Sequence, residues 1–323
     1  MKYQAIIDPI KKQLAKLDEI IIDSVENDVP LLKQVTYHIL NSKGKKIRPA
    51  LVFLSASAAG KSNADCLIVA SVIESIHVAT LLHDDVIDNA DLRRNKKAAN
   101  TIWGNEAAIL VGDYLFTSSF KRICPLHNQK LMPILLNCTT NIAKGEIFQL
   151  TRSFHNTNLD DYFRIVNFKT SSLISAAMEL GAILGGASDK ISDIFKNVGK
   201  KIGLAYQITD DVLDYSLNNK KIGKPWGADL KERKITLPLS HLIENSSTKD
   251  REKCLAIIES SVISDNDIET IYHLMLNYNS LKFATNYAKK TIKDACLMLK
   301  EVPTNKELNA LIEFTKYIGD RKS

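Results

Sequence analysis

Glycine and proline are scarce, 13 and 8 of 323 residues, and they never gather into a Pro/Ser-rich linker that would divide the chain. Asn-Gly and Asp-Gly pairs are missing, as is sustained alternation of apolar and polar residues, so no hairpin-built sheet is expected. The five cysteines (Cys66, Cys124, Cys138, Cys254, Cys296) are scattered and never spaced as C-x-x-C, which argues against a disulfide framework or a zinc site. They read as reduced thiols, mostly in the core. The formal charge of +6 comes without a basic block or aromatics interleaved with arginine, so no nucleic-acid partner is expected. The first 25 residues alternate charged and apolar side chains and lack the uninterrupted apolar stretch of a signal peptide or membrane span. A soluble, cytoplasmic protein is expected.

What is present is a helical period. Apolar residues recur at threes and fours, as in Ile68, Val72, Ile76, Ala79 or Leu173, Ala177, Leu180, Leu184, so the chain reads as one all-α domain over residues 1–323. Turn formers place connections at 41–46, 60–63, 89–99, 125–129, 155–159, 185–190, 217–228, 246–249 and 303–305. The longest stretch without a period, 216–227, is a candidate lid.

The most informative residues are acidic. Asp84-Asp85-Val86-Ile87-Asp88 is matched far downstream by Asp210-Asp211-Val212-Leu213-Asp214, again within an apolar helical stretch. Four-residue spacing puts Asp84 with Asp88, and Asp210 with Asp214, on one helix face about 6 Å apart along the axis. Like charges so placed destabilise a helix, and a chain that does this twice is expected to hold a cation between them. Oxygen-only ligands point to a hard ion, and magnesium suits carboxylates that share a metal with phosphates.

Bases surround these motifs in sequence. Arg93 and Arg94 follow the first, and their forks fit phosphate oxygens. Gly44-Lys45-Lys46-Ile47-Arg48-Pro49 is a basic turn ahead of an apolar helix, where free N–H groups favour an anion. His77 lies two helical turns before Asp84 and shares its face. Asn167-Phe168-Lys169-Thr170-Ser171-Ser172 is expected to open another helix; Gln207 shares a face with Asp210 and Asp214, and Lys224 and Lys234 follow. Ser71, Ser75 and Ala79 form a stripe of small residues. Such a stripe either lets a neighbouring helix approach closely or walls a hollow able to take a long hydrocarbon.

Taken together these segments resemble the all-trans polyprenyl diphosphate synthases, especially the long-chain, octaprenyl branch. The likeness runs nearly end to end. It adds Val111-Gly112-Asp113-Tyr114, Gly145-Glu146 and Thr236-Leu237-Pro238-Leu239 to the stretches already named. It implies a helical bundle around a central cavity, usually homodimeric, with the acidic motifs facing across a cleft. It further implies that Asp84, Asp88, Asp210 and Asp214 bind about three magnesium ions. Arg93, Lys169, Lys234 and Lys224 would contact an allylic diphosphate such as farnesyl diphosphate, and Lys45, Arg48, His77 and Arg94 would take isopentenyl diphosphate. Thr170 and Gln207 would face the allylic cation. Short-chain members carry an aromatic four or five residues before the first motif; Thr80 and Ala79 stand there, which implies a long product with a floor at Ile123 or Leu135. A quinone side chain is the implied use, with transient membrane contact for release. Lys43, Lys46, Ala228 and Arg233 depart from the family pattern, and Ala228 puts the third ion in doubt. Alternatives are a geranylgeranyl-type synthase, a terpene cyclase or a silent partner subunit; the last two would be expected to lack one acidic motif.

Overall fold

The structure, a computed structural model, describes residues 6–25, 28–42, 44–94, 96–152, 158–216 and 226–320. After a 3-10 turn at Asp8–Ile10 come α1 (Lys11–Ala15), α2 (Leu17–Asp23), α3 (Pro30–Leu40), α4 (Ile47–Ala59), α5 (Ala64–Ile87), α6 (Ala99–Trp103), α7 (Asn105–Ile123) and α8 (Leu131–Leu150). Then follow α9 (Leu159–Val166), a π-type stretch Asn167–Ser171, α10 (Ser172–Leu184), α11 (Asp189–Asp214), α12 (Ala228–Lys231), α13 (Leu237–Asn245), α14 (Thr248–Glu259), α15 (Asp265–Asn277), α16 (Ser280–Leu299) and α17 (Lys306–Gly319). The all-α expectation holds with one small exception. Leu92–Arg93 (β1) pairs antiparallel with Lys96–Lys97 (β2) inside the expected connection 89–99.

The chain gathers into two compact units. The first comprises Met1–Thr140, Leu173–Gly199 and Leu299–Phe314; the second comprises Asn141–Ser172, Lys200–Met298 and Thr315–Ser323.

In the first unit α5 is the core helix, packed chiefly on α7 and α4. Asn63 caps it, its side chain accepting the Cys66 N–H at 3.2 Å. Val69, Val72, Ile73 and Ile76 are wholly buried, each worth roughly 1.5–3 kcal/mol. This helix is long and apolar enough to cross a membrane by length and composition, yet 67% of its apolar window is buried within the protein. A second contact is glycine-built: a Cβ on Gly181 would lie 2.4 Å from the Val52 carbonyl oxygen, and one on Gly185 would lie 2.3 Å from that of Ala56. α10 thus rests on the backbone of α4. Gly181→Ala is expected to lower stability by about 1–3 kcal/mol, because the obstructing atom is backbone; urea unfolding with an unshifted midpoint would refute this.

The second unit has two neighbouring cores. Tyr162, Val166, Ala205, Ile208, Leu237, Ala284, Ala288 and Ile292 unite α9, α11, α13 and α16. Tyr215, Trp226, Leu230, Leu239, Cys254, Ile268 and Met275 bind the end of α11 to α12–α15. None of the five cysteines is joined in a disulfide; Cys66, Cys138 and Cys254 are buried and Cys124 is exposed.

Candidate functional site

In the first unit the basic turn and α5 meet. Arg48 donates from Nη1 to His77 Nε2 at 3.2 Å, which makes that nitrogen the acceptor and leaves the proton on Nδ1. Burial, then the charges of Arg48, Arg94, Arg93 and Lys46, push the His77 imidazole well below its usual pKa. It is a neutral ring set among cations. Arg94 joins from the hairpin, with a left-handed backbone (φ 51°) and Nη1 donating to the Ser42 carbonyl at 2.6 Å. Gly44 leaves room for it, since a Cβ there would sit 2.8 Å from Arg94 Nη1. Lys45 is exposed at the same turn. The structure thus brings together Arg48, His77 and Arg94.

Lys46 turns elsewhere. Its ammonium bonds Asp18 at 2.5 Å and Glu74 at 3.2 Å. Burial works against this charge, but Glu74 and Asp18 outweigh it and hold the pKa above the usual lysine value. Lys43 and Lys224 lie outside the described residues, as do positions 217–225 of the candidate lid.

At the end of α5 the three acids part ways. Asp84 and Asp88 are half-buried, whereas Asp85 is fully enclosed and takes Arg93 Nε and Nη2 on Oδ1, both at 2.5 Å. Burial raises the Asp85 pKa while Arg93 lowers it. Arg93 is therefore anchored by the middle aspartate, a pairing that sequence spacing does not reveal.

The small stripe is closely packed. Ser71, Ser75 and Ala79 have no exposed surface, and the face of the two serines is filled by Arg122 of α7. Its guanidinium donates to Ser71 Oγ, to Ser75 Oγ at 3.3 Å and to Ser24 Oγ at 3.2 Å. Small residues here admit a neighbouring side chain. Ala79 packs in a cluster with Ile21, Ile39, Leu82, Val111 and Leu115, while Thr80 is half-buried with its hydroxyl on the His77 carbonyl at 2.7 Å. Ile123 and Leu135 are buried.

In the second unit the expected helix start at Asn167 is not one. Helix α9 begins at Leu159, and Lys169 and Thr170 lie on the π-type stretch that continues it, a widening common at functional sites. Lys169 pairs with Glu146 and donates to Gln149 Oε1 at 3.0 Å; Gly145 is required there, since a Cβ would fall 2.6 Å from that of Phe168. Thr170 Oγ1 donates to Gln207 Oε1 at 2.8 Å, and Gln207 Nε2 donates to Asp211 Oδ1 at 2.9 Å. Asp210 is half-buried on α11. Asp214 accepts the N–H groups of Ala228 at 3.2 Å and Asp229 at 3.1 Å, so it caps α12. Lys234 pairs with Glu232 at 2.6 Å.

Burial raises the pKa of Asp211, Asp214 and Asp229, and Asp214 and Asp211 raise Asp229 further. Asp229 belongs to the same acidic group. Its place beside Asp214 comes from the α12 turn, which no spacing rule predicts. Arg233, where the family pattern has glycine, holds a left-handed backbone (φ 57°) that glycine adopts more readily.

Residues 29–275 match the family model described as polyprenyl synthetase. The chain belongs to the polyprenyl synthetase family. It is a prenyltransferase, similar to the octaprenyl diphosphate synthase of Haemophilus influenzae, with 33% identity over 98% of this chain and 96% of that one. Among solved structures, a decaprenyl diphosphate synthase from Rhodobacter capsulatus matches with a TM-score of 0.94 and 33% identity, covering 99% of both chains. A polyprenyl synthase from Caulobacter crescentus, complexed with calcium and isoprenyl diphosphate, matches with a TM-score of 0.91 and 32% identity, covering 100% of this chain and 98% of the other.

The donors of the synthase fit a divalent cation of the hard class. Among the described residues no three acidic, histidine or cysteine side chains converge into a ready cage. The crowded carboxylates instead suit an ion that completes its shell with substrate oxygens and water, the habit of magnesium.

Proposed function

We propose that this synthase extends farnesyl diphosphate with successive isopentenyl diphosphate units to an all-trans octaprenyl diphosphate for a quinone side chain. The observation that carries the reading is the convergence of Arg48, Arg94 and neutral His77 beside the helix that bears Asp84 and Asp88. Arg48 and Arg94 offer charge-assisted bonds to a diphosphate, and His77 offers its Nδ1–H without adding a charge. Lys45 completes this isopentenyl diphosphate pocket. Arg93, Lys169, Lys224 and Lys234 serve the allylic diphosphate, and Asp84, Asp88, Asp210 and Asp214, with Asp229, hold about three magnesium ions. Bound magnesium supplies charge that stabilises the departing diphosphate. The chain's own bases neutralise the rest of that charge, so the allylic C–O bond ionises and the isopentenyl double bond attacks. Thr170 and Gln207 present partial negative charge to the cation, and the released diphosphate accepts the proton. No protein nucleophile takes part.

The two units act as one domain in this reading, since the family match runs through both. A homodimer is supported by Ile109 and Leu110, exposed on α7 by 40% and 65%. We place the enzyme in the cytoplasm, with brief membrane contact to shed its product. Purified protein, magnesium, farnesyl diphosphate and labelled isopentenyl diphosphate are expected to yield octaprenyl diphosphate on chromatography. Failure to elongate would sink the activity; a product of another length would revise only the octaprenyl part.

A further inference from the structure

Thr170 and Gln207 are the accessible end of a longer chain of hydrogen bonds. Both are half-buried, whereas the far end is enclosed: Tyr162 and Asp211 are each 2% exposed. Tyr162, on α9, donates its hydroxyl to Asp211 Oδ2 at 2.6 Å. Asp211 Oδ1 accepts from Gln207 Nε2 at 2.9 Å, and Gln207 Oε1 accepts from Thr170 Oγ1 at 2.8 Å. The order of donors is fixed from the buried end. A carboxylate only accepts, so it selects the NH2 side of the Gln207 amide and turns Oε1 toward Thr170. Thr170 then spends its only proton on Gln207 and keeps oxygen lone pairs for whatever stands before it. Without the phenol, Asp211 is free to turn toward the Leu237 N–H it also accepts, and the amide loses its orienting partner.

We infer that Tyr162 is a positioning residue of the synthase, acting through Asp211 on the Gln207 amide so that Gln207 Oε1 and Thr170 Oγ1 face the reacting allylic group as acceptors. This rests on the prenyl-elongation reading above. Phe163 meets the Tyr162 ring edge-on, and the phenol hydroxyl is the part of Tyr162 that bonds Asp211.

The test compares Tyr162→Phe, Thr170→Val and the double variant in steady-state elongation. Each single change is expected to lower kcat about tenfold with the KM for isopentenyl diphosphate within about twofold, and the double variant is expected to be about as slow as either single. A Tyr162→Phe enzyme with the wild-type kcat overturns the inference, as do losses that multiply in the double variant or a loss confined to KM. Should Tyr162→Phe fail to fold, Asp211→Asn takes its place beside Thr170→Val. Equal, non-multiplying losses support the inference, and unaltered or multiplying ones overturn it. Absence of elongation by the unaltered protein removes the functional reading itself, whereas an active wild type with an unaffected variant removes only this inference.

Discussion

Asp84→Asn and Asp88→Asn are each expected to cut kcat about a thousandfold while leaving a folded protein, because the change keeps the shape of the side chain and removes only the charge proposed to serve the metal. Asp85→Asn makes the contrast. Asp85 lies one residue away but has no exposed surface and holds Arg93 through Oδ1. Losing its charge strands a guanidinium at the end of α5, so the first consequence is structural, about 3 kcal/mol of stability. Circular dichroism melts and elongation rates on the three variants separate these outcomes. If Asp84→Asn and Asp88→Asn elongated at the wild-type rate, the assignment of those carboxylates would fall.

Ala79→Tyr is expected to shorten the product to about farnesyl or geranylgeranyl size, because the ring would stand in the proposed path of the growing tail. The fold adds a second effect. Ala79 is enclosed among Ile21, Ile39, Val111 and Leu115, so the added ring must displace packed side chains and should cost about 1–3 kcal/mol as well. Thr80→Phe, at a half-buried position nearer in helical phase to Asp84 and His77, should shorten the product at less expense of stability. Chromatography of the products beside denaturant melts reads both quantities. An unchanged product from both variants would refute a hydrocarbon path along this part of α5.

Helices were legible in the sequence because their signals are local. Apolar spacing marked α5 and α10, and scarce glycine and proline left few places for breaks. Arg48, His77 and Arg94 were legible because His77 keeps helical phase with Asp84, Arg94 follows the motif directly and Arg48 belongs to a basic turn ahead of an apolar helix. Contacts between separate elements of the chain were not legible. Arg122 reaches Ser71 and Ser75 across two helices, and nothing in its own segment announces it. The same holds for Lys46 with Asp18 and for Asp214 with the N–H groups of α12. The π-type stretch escaped for another reason: a widened turn has the composition of an ordinary one, so Asn167 looked like a helix start.

The cluster of Arg48, Arg94 and neutral His77 has a thermodynamic consequence. Like charges held close by Gly44 and the hairpin repel one another until an anion enters, so occupancy of the pocket and integrity of the first unit are linked quantities. Phosphate-bearing ligands should act as folding agents for this unit. The proton on His77 belongs to the same balance. An anion that offsets the arginines makes the imidazole easier to protonate, and by reciprocity a proton there tightens the hold on the anion.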